Sequence, residues 1–116
     1  METKKVLLVS AQPEEKVVEC LRGANCFVIK ARDGKAALNF AKHIDVDAFV
    51  LVSTGEVMGR TETALNLRDI RPFSEIILLA RDRDNPTQGE TAAKAIPHTQ
   101  VLTLEELRNH LSAAEL

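Results

Sequence analysis

The stretch "DAFVLVSTGEVMG", residues 47–59, runs through five apolar residues after Asp47 and then breaks into Ser53-Thr54-Gly55-Glu56. An uninterrupted apolar run of that length is the pattern of a strand buried on both faces, which belongs to a parallel sheet covered by helices on either side. In such α/β proteins ligands sit beyond the carboxyl ends of the strands, so Ser-Thr-Gly falls where chemistry is expected. Three further runs of the same kind flank it: VLLV at 6–9, CFVI at 26–29 and IILLA at 76–80. They are short, rich in Val, Ile and Leu, and separated by stretches long enough for a helix, which is the signature of βαβ units.

The intervening segments carry helix signals. Pro13-Glu14-Glu15 puts a proline and two acids into a first turn, Val17, Val18 and Leu21 line one face, and Gly23 marks a stop. Asp33 is placed to cap a second helix in which Ala37, Phe40, Ala41 and Ile44 recur at helical spacing. A third helix is expected over 61–70, ending before Pro72 because the residue preceding proline resists the helical conformation. A fourth, over 87–96, is Ala-rich and carries Gly89. Thr103-Leu104-Glu105-Glu106 is a capping box for a last helix with Leu104, Leu107 and Leu111 on one face. Between Pro97 and Thr103 there is room for a short fifth strand, 99–102. The reading is α/β, (βα) five times in one domain over 1–116: a flavodoxin-like doubly wound parallel sheet of strand order 2-1-3-4-5.

With 116 residues, 45% hydrophobic and 28% charged, the composition is that of an ordinary soluble globular domain. A net charge of −2 without a basic cluster argues against a nucleic-acid surface. No apolar segment approaches the ~20 residues needed to span a bilayer, and METKKVLLVS lacks a signal peptide's cleavage region, so no membrane association and a cytoplasmic location are expected. Cys20 and Cys26 have no partner motif and are read as buried thiols rather than a disulfide or metal pair. His43, His98 and His110 stand far apart, without a ligand neighbour four residues on, and are read as surface or half-buried side chains.

Residue types limit what the sheet edge can do. It is made of Ser10-Ala11-Gln12, Ser53-Thr54-Gly55 and Ala80-Arg81. A dinucleotide site needs closely spaced glycines after the first strand, and SAQPEE has none; GxxxxGK[ST] is also absent. A divalent-metal site wants converging carboxylates, and only Glu14 and Glu56 are near. Nucleophilic Ser53 or Thr54 would need a base in reach, and no histidine belongs to this edge. Thr54-Gly55 could begin a small backbone nest for an anion. Neither an enzyme nor a bound cofactor is expected.

Along nearly its whole length the sequence resembles the receiver domain of bacterial response regulators. KKVLLVSAQPEEKVVECL is similar to that family's first strand and helix, ARDGKAALNFAKH to the second strand's exit and helix, VDAFVLVS to the third strand, ALNLRDIRP to the third helix, SEIILLAR to the fourth strand and TLEELRNHL to the last helix. The resemblance implies an acidic pair holding Mg²⁺ after strand 1, a phosphoacceptor Asp ending strand 3, a Ser/Thr ending strand 4 and a Lys after strand 5. At those positions this chain has Ser10 and Ala11, Ser53 (or Val52 if the strand is shifted by one), Ala80, and no Lys-Pro at all.

The implied reading is a degenerate pseudo-receiver whose phosphoacceptor pocket is reduced to Ser10, Ala11, Ser53, Thr54 and Ala80. It would signal by protein–protein contact, to a partner or to itself as a dimer, independently of phosphorylation. The family's contact face, helix 4–strand 5–helix 5, would here carry Arg81, Arg83, Lys94 and Arg108. The alternative is a small-ligand or anion sensor that uses the vacated pocket.

Overall fold

The computed structural model describes residues 3–114, with side chains to residue 111. Five strands alternate with five helices: β1 (Lys4–Val9), α1 (Glu15–Gly23), β2 (Cys26–Ala31), α2 (Gly34–His43), β3 (Ala48–Leu51), α3 (Arg60–Ile70), β4 (Glu75–Leu79), α4 (Gln88–Ala93), β5 (Thr99–Leu102) and α5 (Leu104–Ala114). The strands form one parallel sheet in the expected order, β2-β1-β3-β4-β5.

The apolar runs are continuous because successive side chains enter different layers. Leu7, Val9, Phe49, Leu51, Ile76 and Leu78 pack with Ala37, Ala41, Ala64, Leu67 and Ala93 of α2, α3 and α4. Val6, Leu8, Ala48, Val50 and Ile77 pack on the other face with Val17, Val18 and Leu21 of α1 and Leu107 and Leu111 of α5. Small residues line the first layer's helices, so α2 and α3 can approach the sheet and each other closely.

Helix boundaries follow their caps. Asp33 accepts from Ala36 N at 2.8 Å, and Thr103 and Glu106 form both bonds of the expected capping box, at 3.0 and 3.2 Å. The first helix begins one turn position later than expected: Glu14 is its N-cap residue and Pro13 lies before it. Its stop is completed by Asn25, which takes the left-handed conformation at φ 62° beyond Gly23. The fourth helix is shorter than the expected 87–96. Ala95 and Ile96 donate three residues back, to Ala92 and Ala93, which tightens the chain out of the α-helix before Pro97.

At the amino edge of the sheet, arginines tie connections together. Arg68 donates through Nη1 to the carbonyls of Arg71 (2.9 Å) and Ser74 (2.7 Å), and through Nη2 to that of His98 (3.0 Å). Arg71 Nε donates to Ala41 O at 2.8 Å. The three histidines belong to this same edge: His43 closes α2, His98 precedes β5, and His110 Nε2 lies 3.0 Å from Glu75 Oε1 at the start of β4.

Candidate functional site

At the opposite, carboxyl edge, the loops after β1, β3 and β4 enclose an open cleft of about 480 Å³. Its floor is apolar, made of Val52, Leu79 and Ala80, and its walls carry Gln12, Glu14, Ser53, Arg60, Arg81, Asp82 and Glu90. The strand ends are held in register by backbone: Val52 N and Ser53 N both donate to Val9 O, Ser10 N donates to Ala31 O, and Ala80 N to Leu102 O.

Ser10 and Ser53 meet beside the cleft, their hydroxyls 3.4 Å apart. Ser53 Oγ accepts from Ala11 N at 3.0 Å, while Ser10 Oγ donates to Gln12 O at 2.8 Å and accepts from Gln12 N at 3.2 Å. Glu14 Oε1 is 3.5 Å from Ser10 Oγ. The two serines therefore close the 10–12 turn onto strand β3. Because every histidine lies at the amino edge, no imidazole is in position to take a proton from either hydroxyl.

Thr54, expected in the pocket, turns away from it. It is buried, its hydroxyl donates to Met58 O at 2.7 Å, and its carbonyl accepts from Gly34 N at 2.9 Å. Gly55 follows at φ 87°, a left-handed conformation that glycine adopts without Cβ strain. Ser-Thr-Gly thus ends a strand, fastens a loop and reverses the chain.

The strongest electrostatic feature was not foreseen from the sequence. Arg60, the first residue of α3, donates through Nη1 to Leu79 O at 2.7 Å and through Nη2 to Glu90 Oε2 at 2.6 Å. Glu90 is 4% exposed and Arg60 22%. Glu90 Oε1 also accepts from Thr87 N at 2.9 Å, and Thr87 Oγ1 accepts from Glu90 N at 3.0 Å, a complete capping box. Burial pushes the Glu90 carboxyl up, but the Thr87 N–H and the Arg60 guanidinium outweigh it, and the group is held below the usual glutamate value. The T-x-x-E spacing of Thr87 and Glu90 was readable as a cap; the arginine that reaches the same carboxylate lies 30 residues away, and no local spacing announces it.

The four basic residues of the expected contact face are not all neighbours. Arg81 and Arg83 are exposed in the loop after β4, and Arg81 lines the cleft. Arg83 and Lys94 lie close enough to Glu106 that their charges, after the Thr103 N–H bond, help hold its carboxyl below the usual range. Arg108 stands elsewhere, in a groove of about 630 Å³ between α1 and α5, with Lys16, Glu19 and Cys20.

The doubly wound sheet with its cleft at the carboxyl edge is the fold of CheY-like response-regulator receiver domains, and the solved structures that match the chain include several of these. The chemotaxis response regulator CheY4 of Vibrio cholerae is 22% identical with a TM-score of 0.78, covering 97% of this chain and 98% of its own. A CheY-like receiver domain protein from Methanospirillum hungatei is 14% identical with a TM-score of 0.75, over 98% of both chains. The receiver domain of a sensor histidine kinase from Pseudomonas aeruginosa, solved with magnesium coordinated in its active-site cleft, is 23% identical with a TM-score of 0.75 over 97% of both. The likeness is one of fold. No protein-family model and no curated protein matches the sequence. Among the described residues, no helix is long and apolar enough to cross a membrane.

Proposed function

We propose that the chain is a receiver-like signalling module that works by protein–protein contact and accepts no phosphoryl group. The observation that carries this is the chemistry of the carboxyl edge. Phosphoryl transfer depends on positioning and on charge supplied by Mg²⁺ and cationic side chains. Where such a site needs converging carboxylates, this edge presents Ser10, Ala11, Val52, Ser53 and Ala80. Among the described residues, no three His, Cys, Asp or Glu side chains gather closely enough to hold a metal ion. The residues present do not fit Mg²⁺, and no step through it is derived.

With the trigger absent, the surface is what remains to carry a signal. Arg83, Lys94 and the start of α5 form a mixed-charge face suited to an acidic protein surface, since rim charges of this kind set association rate and partner choice. The test has two arms. Intact-mass analysis after incubation with Mg²⁺ and acetyl phosphate is expected to show the unmodified chain, and an acid-labile mass gain would overturn phosphorylation independence. Proximity labelling in the source cell is expected to mark a set of proteins that Arg83→Glu with Lys94→Glu loses; a labelling pattern unchanged by the pair would remove that face from the function.

A further inference from the structure

We propose that the chain pairs with a second copy of itself through the outer edge of β2, two five-stranded sheets joining across a two-fold axis at Val28. This edge lies at the far side of the sheet from the contact face proposed above, and the pairing stands whether or not that face is used.

β2 is an open edge of the kind that proteins commonly blunt. It runs for six residues, CFVIKA, without proline, glycine or a bulge. At the opposite edge β5 has four residues and starts beyond Pro97 and His98, whose φ of 53° bends the approach. Because Ser10 N donates to Ala31 O, the peptide groups of Phe27, Ile29 and Ala31 serve the ladder with β1. Those of Val28 and Lys30 point out of the sheet, where no strand meets them. The side chains beside this edge are apolar as well. Phe27 is 58% exposed, and Ile29 on the same face, with Phe40 and Ile44 from the end of α2, is only partly buried.

The strand is complementary to itself. An antiparallel neighbour must place outward-pointing residues opposite one another, since such pairs exchange both hydrogen bonds. With Val28 opposite Val28, Phe27 falls opposite Ile29 of the second copy in the closer kind of pair, twice by symmetry, which covers the exposed ring. Lys30, the one charge of the strand, falls opposite Cys26 and about 14 Å from its own counterpart, beyond the screening length. A shift by two residues would set Phe27 against Ala31 and bring the lysines within about 8 Å. Charge on α1 favours the same axis. Positions 16, 19, 20 and 23 face the groove with α5 and 17, 18 and 21 are buried, which leaves Glu15 and Arg22 on the flank toward the open edge. Both are exposed, and among the described residues neither forms an ion pair. The two-fold sets the two α1 helices antiparallel, so Arg22 of each copy approaches the end of the other's α1 that carries Glu15.

Sedimentation velocity of the whole chain over rising concentration is expected to show a monomer–dimer equilibrium, with amide hydrogen exchange at Val28 and Lys30 slowing as dimer forms. Phe27→Lys, and Val28→Pro, which removes an outward N–H and no bond to β1, are each expected to raise the dimer Kd about tenfold or more. Glu15→Arg and Arg22→Glu are each expected to weaken the dimer about threefold at low salt and together to restore it. A chain that stays monomeric to about 1 mM, a dimer indifferent to both β2 variants, single charge reversals that the double does not repair, or a dimer lost with Arg83→Glu and Lys94→Glu would each overturn the pairing. Phe27→Lys and the charge exchange alter only exposed side chains, so the outcome is decided even if Val28→Pro does not fold.

Discussion

Arg60 and Glu90 form the one ion pair of the cleft in which a carboxylate is almost wholly removed from water. Deleting the cation of such a pair leaves a buried charge held by the Thr87 N–H and the weaker pull of the Lys94 charge, so Arg60→Met is expected to cost about 3 kcal/mol in urea unfolding. Glu90→Gln keeps an acceptor and loses only the charge, so about 1 kcal/mol is expected, and the double variant should cost less than the sum. The pair also sets a pH response. Since the native Glu90 carboxyl sits below its ordinary value of 4.5, its stabilisation is complete above that value and is lost as pH falls through the native one. Melting temperatures followed from about pH 5 to pH 3 should therefore fall more steeply for the wild type than for Glu90→Gln.

At the scale of elements, two glycines near helix ends should respond to alanine with opposite sign. Gly34 opens α2 against α3, where a Cβ would stand 2.5 Å from the Thr63 hydroxyl, itself fully buried and bonded to Gly59 O. Gly34→Ala is expected to destabilise by about 1–3 kcal/mol through overpacking. Gly23 ends α1 with nothing within 4 Å of a new Cβ, so Gly23→Ala should stabilise by about 0.5–1 kcal/mol. Chemical denaturation of the two variants side by side reads both signs. The strands and most helix starts were legible beforehand because their causes are local: continuous apolar runs, Asp33 as a cap, the Thr103–Glu106 box. The end of the fourth helix was not, since its tightening depends on how Pro97 meets the start of β5. The direction of Thr54 was not legible either, because a left-handed turn at Gly55 decides it after the strand has ended.

For the whole molecule, the sheet is the shared wall of two apolar layers, and Phe49 is the largest side chain fully buried in it. Phe49→Ala is expected to cost about 3–5 kcal/mol, a large part of the roughly 5–15 kcal/mol available to a domain. It should lower the urea midpoint of both layers together, monitored by Val17 and Leu67 amide signals; separate transitions would show that the layers unfold independently. Strand order was deducible from the alternation of elements, but the cleft was only half readable. Ser10, Ser53 and Ala80 were placed at its edge by strand ends, whereas the ion pair that spans it joins residues brought together only by the crossover from α3 to α4.

Arg68 has a consequence of another kind. One guanidinium grips the carbonyls of Arg71, Ser74 and His98, which belong to the connections that lead into β4 and into β5. Each of those two connections is consequently held to its own length: a residue inserted in one would pull its carbonyl out of a fork whose geometry the other still dictates. The loop after β4 carries no such clasp at its exposed tip, residues 82–86. Through evolutionary time, lengthening and shortening of the chain should thus have been tolerated at one rim of the sheet and refused at the other.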